Sequence, residues 1–402
     1  MLFPAPAASQ EEGGAYTALH NPANDYFEAI EHIEAEHGPY AMALSDLYLG
    51  LGQSLLNSGD FEKARDAFHR GVLVVRVNAG PNSPEQTNHL FLLANLETML
   101  GDMEMADEVL HNIRFINSEY YDDDNPELLP VLERIYQWYL VARPPGSHLS
   151  RLEDYERMID LAQQMEQVSE TAYGASHPET ALAYRRLGDA EFQMVRHLTG
   201  MGFTLSPERY VIMMTDNVTP LGLGAQPVVD HYDDARKAYK RYLDALAANA
   251  STTPLEYAEA LADLGDWYMV FEKIRKSSKL YEQAYQVLAQ SPDFAELAEQ
   301  WMSQPKPMHF ATENLSGYQD QDGAEMQQQA SRLNISMTVT HYGKVLNIEV
   351  LQPPENLSKD ALVLIKNQLR GTPFRPAMRQ GEVVTTRDFI WQYELMPPWG
   401  TS

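Results

Sequence analysis

The sequence predicts a mainly α-helical protein, an α-solenoid of stacked helix pairs followed by a small α+β domain of order β-β-α-β. Apolar residues recur at helical spacing through residues 24–302, and period-two alternation replaces that pattern after Ser331. At 402 residues the chain is too long for one ordinary core. Stacked repeats escape that limit because each unit contacts only its neighbours.

The clearest helix pair runs from Leu47 to Gly71. Gly52 occupies a small position of the first helix, and Ala64 and Phe68 follow on the second helix after a turn. This spacing resembles the tetratricopeptide pattern, in which W-x2-L-G-x2-Y precedes A-x3-F. One such pair cannot bury its apolar face without neighbours. The resemblance therefore implies a binding scaffold built of repeats.

A second helix pair lies 42 residues further along the chain, where Ala94 replaces Gly52 and Ala106 replaces Ala64. The segment 173–180 resembles the G-x-x-H-P-x-T connector of the kinesin-light-chain type of tetratricopeptide repeat. The triplets S-P-E, N-P-E and H-P-E each precede a predicted helix. Proline and glutamate suit the first turn of a helix, so these triplets predict helix starts.

Three less regular pairs follow. The third is interrupted at 143–146, and the first helices of the fourth and fifth carry Gly188 and Gly265. About 35 extra residues split the fourth pair, which predicts an insert near 196–230 that is long enough to form a lid or edge loop. A short helix at 293–301 is expected to close the array.

Segments of different composition flank the repeats. Residues 1–23 predict a flexible N-terminus, in which Ala5-Pro6-Ala7 is either a chance Ala/Pro tail or the end of a secretory signal peptide, and we favour the second. Residues 303–330 lose periodicity and gain Gln, Asp and Gly, which is typical of a linker. The predicted domains are therefore the superhelix at 24–302 and a module at 331–402.

The C-terminal module predicts two alternating strands, an amphipathic helix and a closing strand. It resembles the C-terminal domain of the TonB energy-transducer family in a set of short motifs: Gly343-Lys344-Val345, Ile348-Glu349-Val350, Ala361, Phe374-Arg375-Pro376-Ala377, Gly381 and Val384. The resemblance implies an envelope location and partner binding by strand pairing at a sheet edge. The membrane anchor and Pro-rich spacer of that family have no counterpart in this sequence, so energy transduction is not expected.

Composition argues against several classes of function. The net charge of −27 disfavours binding to nucleic acid or to anionic lipid. The sequence holds no cysteine, which excludes disulfides, zinc–thiolate sites and thiol nucleophiles. It has no run of about 18 apolar residues, so no membrane span is expected.

Residues suited to chemistry form no recognisable site. His32 and His37 lie five apart, whereas the zinc-protease helix needs histidines four apart on one face. The acidic run 122–124 lacks the spacing of a calcium loop, and the Gly-Leu-Gly segment at 222–224 follows no strand. The other histidines are expected mostly at loops and helix ends. We therefore expect no catalytic residue, no metal, no cofactor and no enzymatic activity.

One face of each first helix would line the inner side of the superhelix and is the expected partner site. Its side chains are mixed polar and apolar, as in a peptide-binding groove, although a plain solvated surface is the alternative. The residues expected to contact a partner are Leu49, Gln53, Asn57, Arg185, Asp189, Phe192, Asp266 and Met269.

Together these patterns predict a non-enzymatic protein–protein interaction scaffold of the bacterial envelope, located in the periplasm. Protein or peptide partners would bind in the acidic repeat groove and by strand pairing at the C-terminal domain. The alternative is a cytoplasmic tetratricopeptide adaptor whose C-terminal domain mediates oligomerisation.

Overall fold

The structure is a computed structural model that describes residues 22–142, 148–200, 231–308, 331–353, 357 and 359–395. Most of the expected flexible N-terminus, of the expected insert and of the expected linker lies outside these residues, although residues 22 and 23 already belong to the first helix. The chain divides into two compact units, residues 1–123 and 124–402, which are treated separately below. Among the described helices, none combines the length and the apolarity needed to cross a membrane.

Unit 1 contains a leading helix followed by two helix pairs. Its elements are α1 (Pro22–His37), α2 (Leu44–Ser58), α3 (Phe61–Ala79), a 3-10 turn (Pro84–Gln86), α4 (Thr87–Leu100) and α5 (Met103–Tyr120). Both α2 and α4 end at a glycine in the left-handed conformation, Gly59 and Gly101, whose N–H groups reach carbonyls of the last helical turn. The same stop signal therefore closes the first helix of each pair.

Close approach of α2 and α3 depends on Gly52. A Cβ atom at this position would lie 2.3 Å from a carbon of the Phe68 ring, which is fully buried. Leu51, Leu55 and Ala64 complete the core around this ring. The glycine is therefore required because the aromatic ring of the second helix lies directly over it.

Gly52→Ala is expected to lower the free energy of unfolding by about 1–3 kcal/mol, because the Phe68 ring must move within a packed core. Urea denaturation measures the loss. Gly371→Ala is the matched control, since a Cβ there would meet nothing within 4 Å. Phe68→Leu should restore part of the stability of Gly52→Ala. Unchanged stability in Gly52→Ala would contradict the close approach.

His89 on α4 is buried, although the sequence placed histidines mostly at loops and helix ends. Its ring lies against Gly71, where a Cβ atom would come within 2.2 Å, and its Nε2 is 3.0 Å from the Ser45 carbonyl oxygen. Nδ1 is buried and has no hydrogen-bond partner. The neutral ring that donates from Nε2 fits this site, and burial lowers the pKa of His89.

Unit 1 is expected to lose stability below about pH 6.5, the pKa of histidine in an unfolded chain. The folded pKa lies lower, so the unfolded chain takes up the proton first as the pH falls. His89→Gln should flatten the dependence of the urea midpoint on pH between about 7 and 5. His69→Gln, at an exposed position of α3, should keep the wild-type slope. Identical slopes in wild type and His89→Gln would contradict a buried, neutral ring.

Unit 2 contains three further helix pairs, a short closing helix and the C-terminal domain. Its helices are α6 (Leu128–Gln137, continued by a π-helical turn at Trp138–Ala142), α7 (His148–Tyr173), α8 (Pro178–Gly200), α9 (His231–Ala248), α10 (Pro254–Val270), α11 (Ile274–Ala289), α12 (Ala295–Trp301) and α13 (Lys359–Gly371). Its strands are β1 (Lys306–Pro307), β2 (Ser331–Val339), β3 (Val345–Leu351), β4 (Phe374–Arg375), β5 (Met378–Arg379), β6 (Glu382–Val383) and β7 (Thr386–Leu395).

The glycine–aromatic contact of unit 1 recurs twice in unit 2. A Cβ atom at Gly188 of α8 would lie 2.8 Å from the ring of Tyr239 in α9, and one at Gly265 of α10 would lie 2.6 Å from the ring of Tyr281 in α11. Gly188 and Tyr239 stand on either side of residues 201–230, where the insert in the fourth pair is expected. Three helix pairs, one in unit 1 and two in unit 2, therefore share one packing rule. The fold is a tetratricopeptide-type α-solenoid.

The predicted helix starts are capped by side chains. His177 accepts the N–H of Glu179 through Nδ1 at 3.2 Å, and Thr253 accepts the N–H of Glu256 at 3.2 Å. These bonds satisfy N–H groups that have no partner within the helix itself. His177 belongs to an x-P-E triplet, and Ser83 and Asn125, which open the other two triplets, accept a backbone N–H from the glutamate in the same way. The triplets therefore mark helix starts as expected.

The C-terminal domain has the predicted β-β-α-β order, with short strands added around its last connection. β3, β2 and β7 form an antiparallel sheet in that order. Leu333 and Ile335 of β2 pack with Ile365 and Leu369 of α13, so the helix covers one face of the sheet. The small domain therefore has its own core.

Both outer strands of this sheet carry a bulge. Asn347 in β3 and Asp388 in β7 have positive φ angles of 51° and 52°, and the register with β2 shifts beside each of them. Asn and Asp tolerate this conformation better than other residues with side chains. Bulges bend outer strands and limit uncontrolled pairing at a sheet edge.

Candidate functional site

Side chains of α8 and α10, the first helices of the last two pairs, are in contact. Phe192 of α8 packs edge-on against Trp267 of α10, with ring centroids 5.6 Å apart. The Nη2 of Arg185 on α8 lies 3.8 Å from the carboxylate of Asp263 on α10. We call the surface formed by Arg185, Asp189, Phe192, Asp263 and Asp266 the acidic face.

Each of these helices carries an aspartate directly after its packing glycine. The hydroxyl of Tyr239 donates to Asp189 at 3.0 Å, and that of Tyr281 donates to Asp266 at 2.7 Å. The tyrosine ring that covers the glycine therefore also orients the neighbouring carboxylate. Phe68, which stands at the same place in unit 1, has no hydroxyl, and Gln53 follows the glycine there.

The C-terminal domain covers Asp266. The guanidinium of Arg375 donates from Nε to Oδ1 of Asp266 at 2.8 Å and from Nη2 to Oδ2 at 2.6 Å. The rings of Tyr281 and Trp301 flank this guanidinium, with centroids 5.9 and 5.7 Å away. A bidentate pair of this kind is among the strongest polar contacts that proteins make. The side chains of Asp266 and Arg375 are both buried.

Backbone contacts reinforce the same docking. β1 follows α12 and pairs with β4, so that Lys306 lies opposite Arg375. The N–H of Met378 donates to the Met302 carbonyl oxygen at 2.7 Å, and the Met378 side chain joins the core of the last helix pair. The C-terminal domain is thus attached to the repeats by strand pairing, by apolar packing and by an ion pair.

The β2–β3 turn forms a second point of attachment. Gly343 has a φ of +78°, and a Cβ atom there would lie 3.1 Å from Sδ of Met269 and 2.6 Å from the Phe374 carbonyl oxygen. Beside it, Lys344 Nζ lies 3.1 Å from Glu272. Only glycine combines this backbone conformation with such close contact.

Charges alternate along the acidic face. Arg185 lies 3.7 Å from Asp189 and 3.8 Å from Asp263, and Arg375 lies 3.8 Å from Asp263 as well as closer to Asp266. The ladder therefore reads Asp189, Arg185, Asp263, Arg375, Asp266. Its last cation comes from the C-terminal domain, whereas its first comes from the repeats.

Burial is the largest single influence on the pKa values of Asp189, Asp263 and Arg375, but it sets the direction of the shift only for the two aspartates. It raises the pKa of Asp263 to about 7, with Asp189 and Asp266 adding to the effect and the two arginines opposing it. It also raises the pKa of Asp189. Burial lowers the pKa of Arg375, but the charge and hydrogen bonds of Asp266 more than offset this, and the net shift is upward. The two arginines therefore offset the burial of Asp263 only in part.

The eight residues expected to contact a partner fall into three groups. Leu49, Gln53 and Asn57 share the outward face of α2, where Gln53 and Asn57 are exposed. Arg185, Asp189 and Phe192 are partly buried on α8 and belong to the acidic face. Asp266 and Met269 are buried beneath the C-terminal domain and so do not line an open groove in this structure.

Sequence reasoning missed the residues that cover this face. Arg375 stands within the Phe374–Ala377 motif, and Gly343 stands within the turn motif, so both were noted without their role. The pairing of Arg375 with Asp266 joins positions 109 residues apart. The sequence did hold a signal for two aspartates of the acidic face. In the fourth and fifth pairs an aspartate follows the packing glycine, and a tyrosine that can donate to it takes the place of Phe68.

In the described part of the chain, no three His, Asp or Glu side chains are grouped as metal ligands. His32 and His37 are exposed and lie 3.8 and 3.6 Å from Glu36.

No protein-family model and no curated protein matches the sequence. Among solved structures, a kinesin light chain-like TPR repeat protein of Podosopora anserina is similar to the chain at 13% identity and a TM-score of 0.41, covering 62% of this chain and 98% of that one. BtubC (BKLC) from P. vanneervenii is similar at 15% identity and a TM-score of 0.41, covering 77% and 96%. PilF of Pseudomonas aeruginosa is similar at 16% identity and a TM-score of 0.19, covering 64% and 98%. Scores this low support no inference about function, so the fold rests on the helix pairs described above.

Proposed function

We propose that the chain is a non-enzymatic scaffold that binds protein or peptide partners on the faces of its first helices. One observation carries the proposal: the face of α10 holds a polypeptide segment, 372–378 of the same chain, through a specific ion pair and apolar contacts. A repeat face that recognises one extended segment has the chemistry to recognise another.

Two surfaces stay accessible for such partners. In unit 1 the outward face of α2 presents Gln53 and Asn57 beside the partly buried Leu49. In unit 2 the α8 part of the acidic face presents Arg185 and Phe192, which are both partly exposed. Mixed polar and apolar surfaces of this kind suit weak or moderate peptide binding better than an obligate interface.

Affinity capture with paired variants tests the proposal. The tagged full chain, a Gln53→Arg/Asn57→Arg variant and an Arg185→Ala variant are compared with Glu62→Arg and Lys237→Ala, which alter exposed positions on the second helices. Partners should be retained by wild type and by both controls, and should be lost from at least one of the first-helix variants. Direct titration of an identified partner should then show at least about a tenfold loss of affinity.

Equal retention of every captured protein by all variants would contradict binding on the first-helix faces.

The proposal places the chain in the bacterial envelope, on the periplasmic side. Support for this location comes from the TonB-like motifs. Binding by strand pairing is supported by the sheet order β3-β2-β7, which among the described strands leaves one side of β7 unpaired. Ile390 on β7 is 60% exposed. An extended partner could add to this strand, with the bulge at Asp388 limiting where it pairs.

Cell fractionation of a C-terminally tagged chain tests the location. Release by osmotic shock supports the periplasmic proposal. Retention in the cytoplasm contradicts it and favours the adaptor alternative, in which β7 mediates oligomerisation. Analytical ultracentrifugation of the wild type and of Ile390→Arg then tests that alternative by comparing their oligomeric states. A charged residue at this position should dissociate an assembly that is built on β7.

A further inference from the structure

We propose that Asp263, Asp266, Tyr281 and Trp301 form an arginine pocket, which the C-terminal domain fills in cis and which a partner occupies by presenting an arginine on an extended segment. This inference rests on the proposed function, because it names the ligand class of the same acidic face. It also assigns the C-terminal domain a second role, as a built-in competitor for that site.

The pocket is matched to a guanidinium group. Arg375 donates from Nε and Nη2 to the two carboxylate oxygens of Asp266. These two donors are held in one plane by the guanidinium group, and the single ammonium group of lysine cannot reproduce this geometry. Tyr281 and Trp301 place aromatic rings within 6 Å of the same group, and a planar cation is attracted to such faces. The occupant is therefore selected by shape as well as by charge.

The ligand arginine is presented on extended backbone. Arg375 lies in β4, which pairs with β1 as a short antiparallel ladder. Phe374 points the other way, into the core of the C-terminal domain with Met337 and Val339. Recognition by the repeats therefore rests on the arginine and on the apolar Met378 that follows it, rather than on the whole motif.

Removal of Arg375 leaves two carboxyl groups, those of Asp263 and Asp266, facing the vacated space from one helix. Tyr281 continues to orient Asp266 by donating its hydroxyl, so the acceptor stays in place when the cation leaves. A tethered ligand competes at a high effective concentration, on the order of millimolar for flexible linkers. A free segment should therefore bind weakly while Arg375 is present and much more tightly once it is gone.

The test uses a labelled peptide with the sequence of residues 372–378 and a matched peptide with glutamine in place of its arginine. Fluorescence anisotropy gives the dissociation constant for the full-length wild type, Arg375→Ala and Arg375→Ala/Asp266→Asn. Arg375→Ala should bind the arginine peptide at least tenfold more tightly than wild type does, and at least tenfold more tightly than it binds the glutamine peptide. Asp266→Asn should remove this gain. Arg379→Ala, at the exposed position directly after this segment, should behave as wild type.

Equal affinity of Arg375→Ala and wild type, or equal affinity for the two peptides, would overturn the proposal. If circular dichroism shows that Arg375→Ala does not fold, Arg375→Lys replaces it and should give a smaller gain with the same peptide preference. Hydrogen exchange in the wild-type protein gives an independent test. Excess arginine peptide should accelerate hydrogen exchange of the Met378 amide, which donates to the Met302 carbonyl oxygen. Excess glutamine peptide should leave that exchange rate unchanged.

The two proposals fail separately. Peptide binding that follows Arg375 and Asp266, without any partner lost from the first-helix variants, would contradict only the wider scaffold. Partners that depend on those faces, without any preference for arginine, would contradict only the arginine pocket.

Discussion

Replacing Arg375 with methionine is expected to lower the free energy of unfolding of unit 2 by about 3–5 kcal/mol, because it leaves the buried carboxylate of Asp266 without its cation. Both partners are buried, and the pair supplies two short hydrogen bonds. Urea denaturation followed by circular dichroism measures the loss. Arg379→Met, an exposed position four residues further on, should change stability by less than about 0.5 kcal/mol.

A double-mutant cycle separates the pair from its surroundings. Asp266→Asn alone should also destabilise, because it leaves the guanidinium buried without a counter-charge. The double variant Asp266→Asn/Arg375→Met should be clearly more stable than the sum of the two single losses predicts, since residues in direct contact do not behave additively. Additive losses would mean that the two side chains contribute independently, which would contradict the geometry.

Replacement of Asp263, three residues before Asp266 on α10, is expected to stabilise the protein at neutral and alkaline pH, whereas replacement of Asp266 or Arg375 destabilises it. An unfolded aspartate has a pKa of about 3.9, whereas burial raises that of Asp263 to about 7. Between these values the folded protein holds a proton that the unfolded chain has lost. The contribution of Asp263 to stability therefore decreases as the pH rises from about 4 to about 7, and it stays low above that range.

Asp263→Asn mimics the protonated form and should remove this pH dependence. After allowance for partial exposure of the carboxylate, the variant should be more stable than wild type by about 2 kcal/mol at pH 8.5 and nearly equal to it at pH 4. Asp244→Asn, at an exposed position of α9, should show no such trend. A less stable Asp263→Asn at pH 8.5 would mean that the ion pairs at 3.8 Å with Arg185 and Arg375 outweigh burial.

The repeat architecture could be predicted because its determinants are local. Gly52 and Phe68 occupy fixed positions within one helix pair, and Gly265 with Tyr281 repeats them. The glycine at the end of α2 and the threonine at the start of α10 likewise act within one turn. Patterns of this range are visible in a sequence, since both partners lie within a few helical turns.

The docking of the C-terminal domain could not be predicted in the same way. Hydrophobic periodicity indicates which side of a helix is apolar, but it does not indicate which element covers a polar residue on another side. Asp266 was therefore assigned to an open groove, although Arg375 covers it. The short strand β1 was assigned to a linker for the same reason, because two residues become a strand only through pairing with β4.

The envelope location implied by the C-terminal motifs stays a prediction. Gly343, Arg375 and Gly381 belong to the motifs that resemble the TonB family, and all three contact the last helix pair of this chain. Here these residues hold the domain on the repeats. Any partner bound by strand pairing must therefore use another part of the sheet, of which β7 is the candidate.

Cross-linking of the C-terminal domain to the last helix pair tests the central claim most directly. The chain holds no cysteine, so Glu272→Cys/Lys344→Cys introduces a single reactive pair at positions whose native side chains lie 3.1 Å apart. Mild oxidation or a short bifunctional reagent should give a rapid intramolecular cross-link in the full chain. The same pair in an Asp266→Asn/Arg375→Gln background should react more slowly. Absence of the intramolecular product in the unaltered background, or cross-links only between chains, would contradict a C-terminal domain docked on its own repeats.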